Sequence, residues 1–389
     1  VPLFLNIRMN VEQLVEAGNQ LRSENKPVEA LALYAQAFTQ DPDNFSAWNN
    51  YGNVLRECGR PDRAIPFLET AIKIWPEQPT ANFNLAVAYL LMGDYTRGWP
   101  QYEHRWNYEH LAGVLPKFEQ PQWTGQDLKG KTILVWGEQG HGDNIQFARF
   151  LLHLLGLGAE IIFQTTDALI PLFSSSAFKQ TISFSQAPEG FDYWIPIMSI
   201  PAVIGLNLEN LPQNLGYIQP NSALVQEWHK RLGPKKRLRV GFCWSGRKDS
   251  WINQHKGMPF VDMLTLIKQN PDYEWINLQT DCTPDEELVL TANGVAVYSS
   301  VIHNFGDTAA LIQHLDVVLS VDTAVAHLSG AIGRPTWVML NQYALDWRWL
   351  LNRDDSPWYP SARLFRQPAM GDWTSVTKKI HQYLSWFKI

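Results

Sequence analysis

Cysteine is scarce. Cys58, Cys243 and Cys282 stand far apart and form no CxxC pair. That excludes a disulfide scaffold and a zinc ribbon, and a reducing, cytoplasmic setting is expected. Long apolar runs are missing too. None approaches the ~20 residues that cross a bilayer, and the longest candidate, around Phe150 to Leu157, is broken by His153. No membrane span is expected. The opening Val1 to Arg8 carries its only positive charge after its apolar part, the reverse of a secretory leader. Basic excess is absent as well. A net charge of −6 argues against a nucleic-acid partner, and the short basic run from Lys235 to Arg239 reads as the solvated part of a linker. No GxGxxG fingerprint follows a strand, which disfavours a dinucleotide-dependent dehydrogenase.

What is present divides the chain in two. A length of 389 residues suggests two or three domains. Internal repeats lead. Pro42 and Pro76 each close an apolar, helix-like run, 34 residues apart (76 − 42). Counting from Val11 and from Phe45, the fourth positions are Leu14 and Trp48, the eighth Gly18 and Gly52, and the eleventh Leu21 and Leu55. The twentieth are Ala30 and Ala64, the twenty-fourth Tyr34 and Leu68, and the twenty-seventh Ala37 and Ala71. Small residues recur where paired helices approach closest, bulky ones fill between them, and proline ends the second helix. This pattern resembles the tetratricopeptide repeat (TPR). A third, partial unit runs from Pro79 and changes character at Gly98-Trp99. The first helix of each repeat places Asn19, Asn50, Asn53 and Asn84 on the groove face. Asparagine both donates to and accepts from a peptide backbone, so these four are candidates for holding a protein or peptide partner. The competing reading is that they are tolerated surface residues.

A second regime begins near Gly130. Thr132 to Trp136 is a short apolar run ending in Gly137 and reads as a buried parallel strand. The loop Gly137-Glu-Gln-Gly-His-Gly-Asp143 follows, then a helix expected over Asn144 to Leu157. Further strands are expected at Glu160–Gln164 and Tyr193–Pro196. A second such unit starts at Leu238 to Trp244. It continues with a helix near Phe260 to Gln269, a strand at Glu274 to Leu278, a helix from Asp307 to Leu315 and a strand at Asp316 to Val321. A helix from Thr323 to Ile332 and a strand at Thr336 to Leu340 complete it. The stretch Asn214 to Lys236, with its glycines and prolines, is expected to be the hinge between the halves. Alternating strands and helices in two series give a doubly wound α/β plan, and two Rossmann-like domains facing a cleft give GT-B.

Specific motifs narrow the reading. Gly137 to Arg149 resembles the glycine loop of bacterial TPR-containing glycosyltransferases. Val321-Asp-Thr-Ala-Val-Ala-His327, with Gly330 to Pro335, resembles the donor-phosphate motif of the ADP-heptose heptosyltransferases. The segments from Trp347 to Pro360 and from Arg363 to Gln367 resemble a further block of the TPR-linked group. Repeats followed by GT-B also resemble the layout of protein O-GlcNAc transferases. His141 and the stretch Asn253 to Lys256 depart from the related motifs, so donor choice is not carried across. The implied division is an extension at 1–8, repeats at 9–112, an acceptor domain at 113–226, and a nucleotide-sugar domain at 227–389 with a closing C-terminal helix.

The resemblance implies an inverting glycosyltransferase. A diphosphate leaving group gains charge as the glycosidic bond breaks, and that charge must be stabilised. The one DxD, Asp41-Pro-Asp43, sits in a repeat turn, so neither a metal nor another cofactor is expected. The start of the helix at Thr323 offers its dipole and amides instead. Donor candidates are Ser245, Arg247, Lys256, Gln279, Asp322, Thr323, Ala324 and His327, with Trp347 and Arg348 closing over the donor. Structural alternatives stand beside several of these: a core histidine, a helix cap at Asp322, and packing at Trp347 and Arg348. Asp143 is the candidate base, with His141 and then Glu138 as substitutes, and helix capping is the competing role for Asp143. Gln139, Gly140, Gly142 and Gln146 complete the acceptor loop. Two other functions remain open: a lipopolysaccharide or oligosaccharide heptosyltransferase-like enzyme, and a non-catalytic repeat scaffold with a ligand-binding GT-B domain.

Overall fold

Asn10 starts the first helix. Its side chain accepts from the Gln13 amide, and Gln13 answers with its own side chain, a reciprocal cap for α1 (Val11–Ser23). Proline sits in the first turn of α2 (Pro27–Gln40), where no amide partner is needed. α3 (Phe45–Glu57) is capped by Asn44, α4 (Pro61–Ile74) again opens on proline, α5 (Pro79–Met92) has both a Gln78 cap and a first-turn proline, and α6 (Tyr95–Tyr102) is capped by Asp94. The structure, a computed structural model, describes residues 9–108, 111, 113–213, 215–246 and 256–387.

Close approach explains the glycines at the eighth repeat position. A β-carbon on Gly18 would lie 2.5 Å from the Tyr34 ring, and one on Gly52 would lie 2.8 Å from Leu68 Cγ. Both partners are the twenty-fourth residue of the same repeat. In the third repeat Ala86 and Tyr102 hold these places, both buried, before a 3₁₀ turn at Glu103–Asn107.

The chain forms two compact units. The first comprises the repeats to Lys117, together with 206–208 and 343–351. Residues 343–351 were expected in the donor domain, and the structure assigns them to the repeat unit. The reason is local bonding. Tyr343 donates its hydroxyl to Glu57 Oε2 at 2.8 Å, and the Ala344 amide donates to the Glu57 carbonyl at 3.0 Å.

The second unit comprises 118–205, 209–342 and 352–389 and holds two parallel sheets. One contains β1 (Thr132–Trp136), β2 (Glu160–Thr165), β3 (Gln180–Ser183) and β4 (Tyr193–Pro196), in the order β3-β2-β1-β4. The other contains β5 (Arg239–Cys243), β6 (Glu274–Asn277), β7 (Val317–Val321), β8 (Thr336–Leu340) and β9 (Ala362–Arg366), in the order β6-β5-β7-β8-β9. Helices cover their faces, so the strands read as continuous apolar runs. Val240, Phe242, Val317, Leu319 and Met339 lie in one buried cluster with Leu266 and Ile380 from the covering helices.

Two expectations change. The helix after the glycine loop is split into α7 (His141–Phe147) and α8 (Arg149–Gly156). The Tyr217 hydroxyl donates to the carbonyls of Ile145 and Gln146, and Arg149 Nε donates to Gln146 O. Side chains at those carbonyls break the ladder. The expected hinge at 214–236 carries α10 (Ser222–Leu232), capped by Asn221. Gly233 is its C-cap. The remaining helices among the described residues include α9 (Ile200–Val203), α11 (Phe260–Gln269), α12 (Pro284–Ala292), α13 (Phe305–Ile312), α14 (Ala324–Ile332) and α15 (Trp373–Trp386).

Candidate functional site

In both sheets the strand order reverses beside the first strand. The reversal falls between β1 and β4 in one and between β5 and β7 in the other. Chains leaving the carboxyl ends there turn to opposite faces and open a crevice where ligands bind in α/β folds. The motif residues sit at these two points.

On the first sheet, β1 runs into Gly137. A β-carbon there would lie 2.8 Å from the Gln164 carbonyl and against the Asn144 side chain, so only glycine fits. Asn144 Nδ2 donates to the carbonyls of Glu138 and Gly140, both at 2.9 Å, and ties the loop to α7. Gln139 sits at φ 58°, a left-handed conformation that costs a non-glycine residue energy and concentrates at functional loops. Asp143 is half-buried in the first turn of α7, where Oδ2 accepts from the Gly140 amide at 2.8 Å. Asp143 is therefore not the N-cap, which is Gly140; it stands at the third helical position and ties back to the cap residue's amide. His141 packs edge-on to Phe305, 5.0 Å between centroids.

Two acceptor-loop expectations are corrected. Glu138 is buried and its carboxylate accepts from the Met198 amide at 2.9 Å, holding the chain after β4. Gln146 is fully buried, so it supports the loop from beneath.

On the second sheet, Thr323 is the N-cap of α14, yet its hydroxyl bonds Ser320 Oγ at 2.9 Å and does not cap. The first-turn amides of a helix have no intrahelical partner, and the Thr323 side chain makes no capping bond to them. Thr323, Ala324 and Val325 remain half-buried, so the opening is not sealed. Asp322, weighed as a cap or ribose ligand, instead takes Lys256 Nζ at 2.5 Å, with both side chains largely buried. His327 Nε2 lies 3.7 Å from Asp322 Oδ1, and its Nδ1 is 2.9 Å from the Tyr359 hydroxyl. Gln279 Oε1 accepts from the Ser245 amide and the Cys243 thiol, both at 3.1 Å. Burial pushes that thiol up to about 12, so it stays protonated as a donor. Ser245 Oγ is buried and has no hydrogen-bond partner among the described residues. Arg247 lies outside the described residues.

The two switch points meet. A β-carbon on Gly142 would lie 2.9 Å from His327 Cδ2 and 3.7 Å from the Ala324 nitrogen. The first turns of α7 and α14 are therefore in contact, which brings Asp143 and Gly142 to the side of Thr323, Ala324 and His327. Among the described residues, no group of three or more His, Cys, Asp or Glu is arranged to hold a metal ion. None of their helices is long and apolar enough to cross a membrane.

Trp347 and Arg348, expected over the donor, are placed in the repeat unit. Trp347 lies edge-on to Tyr95 and Trp99, with centroids 6.5 and 5.3 Å away, and Arg348 pairs with Asp346 at 3.0 Å. Both are buried there, consistent with packing. The groove asparagines bond one another. Asn84 Nδ2 donates to Asn49 Oδ1, Asn49 Nδ2 to Asn50 Oδ1, and Asn50 Nδ2 to Asn19 Oδ1. Asn53 is buried against Glu57 and Arg56, and Asn84 is buried too, so of the four candidates only Asn19 and Asn50 reach the surface. Arg149, Tyr217 and Tyr359 were not foreseen as site residues. The signal for Arg149 is its place in the glycine-loop motif and that for Tyr359 its place in the block from Trp347 to Pro360, while Tyr217 carries none.

Repeats and a two-sheet unit with facing crevices define a TPR-bearing chain of the GT-B class. A tetratricopeptide repeat family matches residues 15–79 and 59–102. The fold is that of glycosyltransferase family 9. A glycosyl transferase of that family from Veillonella parvula superposes with TM-score 0.50 and 11% identity, covering 68% of this chain and 99% of its own. ADP-heptose lipopolysaccharide heptosyltransferase II of E. coli gives TM-score 0.50 and 15% identity, covering 66% and 98%. In sequence, Protein FlbA of Caulobacter vibrioides is 26% identical over 97% of this chain and 74% of its own length.

Proposed function

We propose that the chain is a glycosyltransferase that moves a sugar from a nucleotide-sugar donor to an acceptor with inversion. The observation that carries this is the opening of α14, which its N-cap Thr323 leaves without a side-chain bond, at the switch point of the second sheet, flanked by Lys256 and His327 and touched by the glycine-loop helix. Oriented amides, a nearby ammonium and an imidazole favour a departing diphosphate, and they do so without reorganising during the reaction. Lys256 and the helix supply the compensating charge, so transfer proceeds without a divalent ion. Asp143, at the opposite crevice, takes the acceptor proton. Its Oδ2 bond to the Gly140 amide aims the carboxylate and does not exhaust its lone pairs. A protein or peptide acceptor is assigned to the repeat unit, on the strength of the repeats and of Asn19 and Asn50 at its surface. The free cysteines suit a reducing compartment.

The test is a thermal-shift screen against ADP-, UDP-, GDP- and CMP-linked sugars, followed by transfer and hydrolysis assays in chelator. Stabilisation by one nucleotide class and turnover in chelator are expected. Asp143→Asn should reduce kcat at saturating substrates by about 10²-fold or more, and near-normal kcat would remove Asp143 as the base.

A further inference from the structure

We propose that Tyr359 fixes the tautomer of His327, so that the hydrogen sits on Nε2 and adds one donor to the diphosphate site. This rests on the donor reading above. The buried Tyr359 hydroxyl lies 2.9 Å from Nδ1 of the buried His327. Either atom can hold the shared hydrogen, and that choice decides what Nε2 offers.

Two surroundings make the same choice. The Arg149 guanidinium stands 4.9 Å from the centroid of the Tyr359 ring. A cation over a phenol stabilises its electron-rich form, which makes the hydroxyl a better donor and a poorer acceptor. Arg149 is held there by the Trp358 carbonyl at 2.7 Å and the Gln146 carbonyl at 3.0 Å. At the other edge of the imidazole, Nε2 faces Asp322 Oδ1 at 3.7 Å. A bare lone pair on Nε2 would oppose that carboxylate, whereas an N–H is attracted to it. Lys256 on the other oxygen of Asp322 tempers this field.

Packing keeps the phenol in place. A β-carbon on Gly330 would lie 2.5 Å from Tyr359 Cδ1, so glycine is what admits the ring beside α14. On the far side of the imidazole, Gly142 covers Cδ2, the ring atom next to Nε2. Tyr359 and Arg149 are thus positioning residues. Arg149 belongs to the glycine-loop half, so the donor face of His327 is set partly by the acceptor half.

The experiment is a long-range ¹H–¹⁵N correlation on histidine-labelled protein, with His327→Gln identifying the resonance. The wild type is expected to show His327 protonated at Nε2, and Tyr359→Phe to shift it toward a mixture of tautomers. Protonation at Nδ1 in the wild type overturns the proposal, and that measurement does not depend on whether the variant folds. An unchanged tautomer in folded Tyr359→Phe also overturns it. Calorimetry with UDP, ADP and GDP gives the second readout. Tyr359→Phe is expected to weaken the bound diphosphate about threefold to tenfold. If none of the three binds the wild-type protein, the donor role of Nε2 falls with the reading it rests on, while the tautomer stands or falls on the spectrum alone.

Discussion

Gly142 lies on His327: a β-carbon on the first would come within 2.9 Å of Cδ2 on the second. The histidine is buried and held at Nδ1 by Tyr359, so it cannot swing aside cheaply. Gly142→Ala should therefore destabilise the protein by about 1–3 kcal/mol, as small-to-large changes in packed sites do. It should also weaken nucleoside diphosphate binding, since relief requires parting α7 from the α14 opening. Urea unfolding and calorimetry check both. Wild-type stability and affinity in the variant would show that the two turns are not packed as described.

Arg149 is a buried cation whose bonding partners are carbonyls, a hydroxyl and aromatic faces. Arg149→Met keeps length and burial but removes the guanidinium bonds to the Trp358 and Gln146 carbonyls. A loss of ~2 kcal/mol or more is expected. Arg149→Lys should recover only part of it, because an ammonium cannot reproduce the planar fork. Equal stability of the lysine variant and the wild type, by chemical denaturation, would contradict this.

Trp347 stands against Tyr95 and Trp99 in the repeat unit. Trp347→Ala is expected to cost about 3–5 kcal/mol, with little change in the diphosphate affinity of the molecules that remain folded. Tyr343→Phe, which removes the bond to Glu57, should cost ~1 kcal/mol. The fragment 9–112 lacks both residues and should melt well below the intact chain. A strong loss of donor affinity in folded Trp347→Ala would restore the donor role that the sequence suggested.

Glu57 gives the repeat unit an acid sensitivity. Burial by itself would raise its pKa, but hydrogen bonds and charge from Arg22, with Arg56 and Tyr343 adding to them, bring it below the ordinary 4.5. A carboxylate depressed in the folded state stabilises it above the unfolded pKa, and that stabilisation is lost as pH falls through the lower folded value. The melting temperature should therefore drop as pH falls below about 4.5, the unfolded value. In Glu57→Gln, measured by calorimetric scans across pH 3 to 7, the drop should be smaller. An identical pH profile in the variant would remove Glu57 as its source.

The repeats were legible because their packing is local. Gly18 and Tyr34 meet inside one period, so position in the sequence is position in space. Parallel strands buried on both faces were legible as apolar runs, and β4 and β8 fall where those runs predict. β3 and β9 escaped because Gln180 and Arg363 interrupt the apolar signal. The site was legible where a motif is contiguous, as from Asp322 to His327. It was not legible where partners come from distant segments. Tyr359 reaches His327 across 32 residues, and Arg149 reaches the Trp358 carbonyl across 209. Trp347 misled because a tryptophan beside an arginine suits a sugar and a buried joint equally, and only tertiary packing separates the two.

The most direct test of the account is a crystal structure with UDP, ADP or GDP bound in the presence of a chelator. The account predicts a β-phosphate within hydrogen-bonding distance of the Ala324 and Val325 amides, with Lys256 and His327 beside it. A diphosphate seated elsewhere on the protein, or ordered only when a divalent ion is supplied, would contradict it.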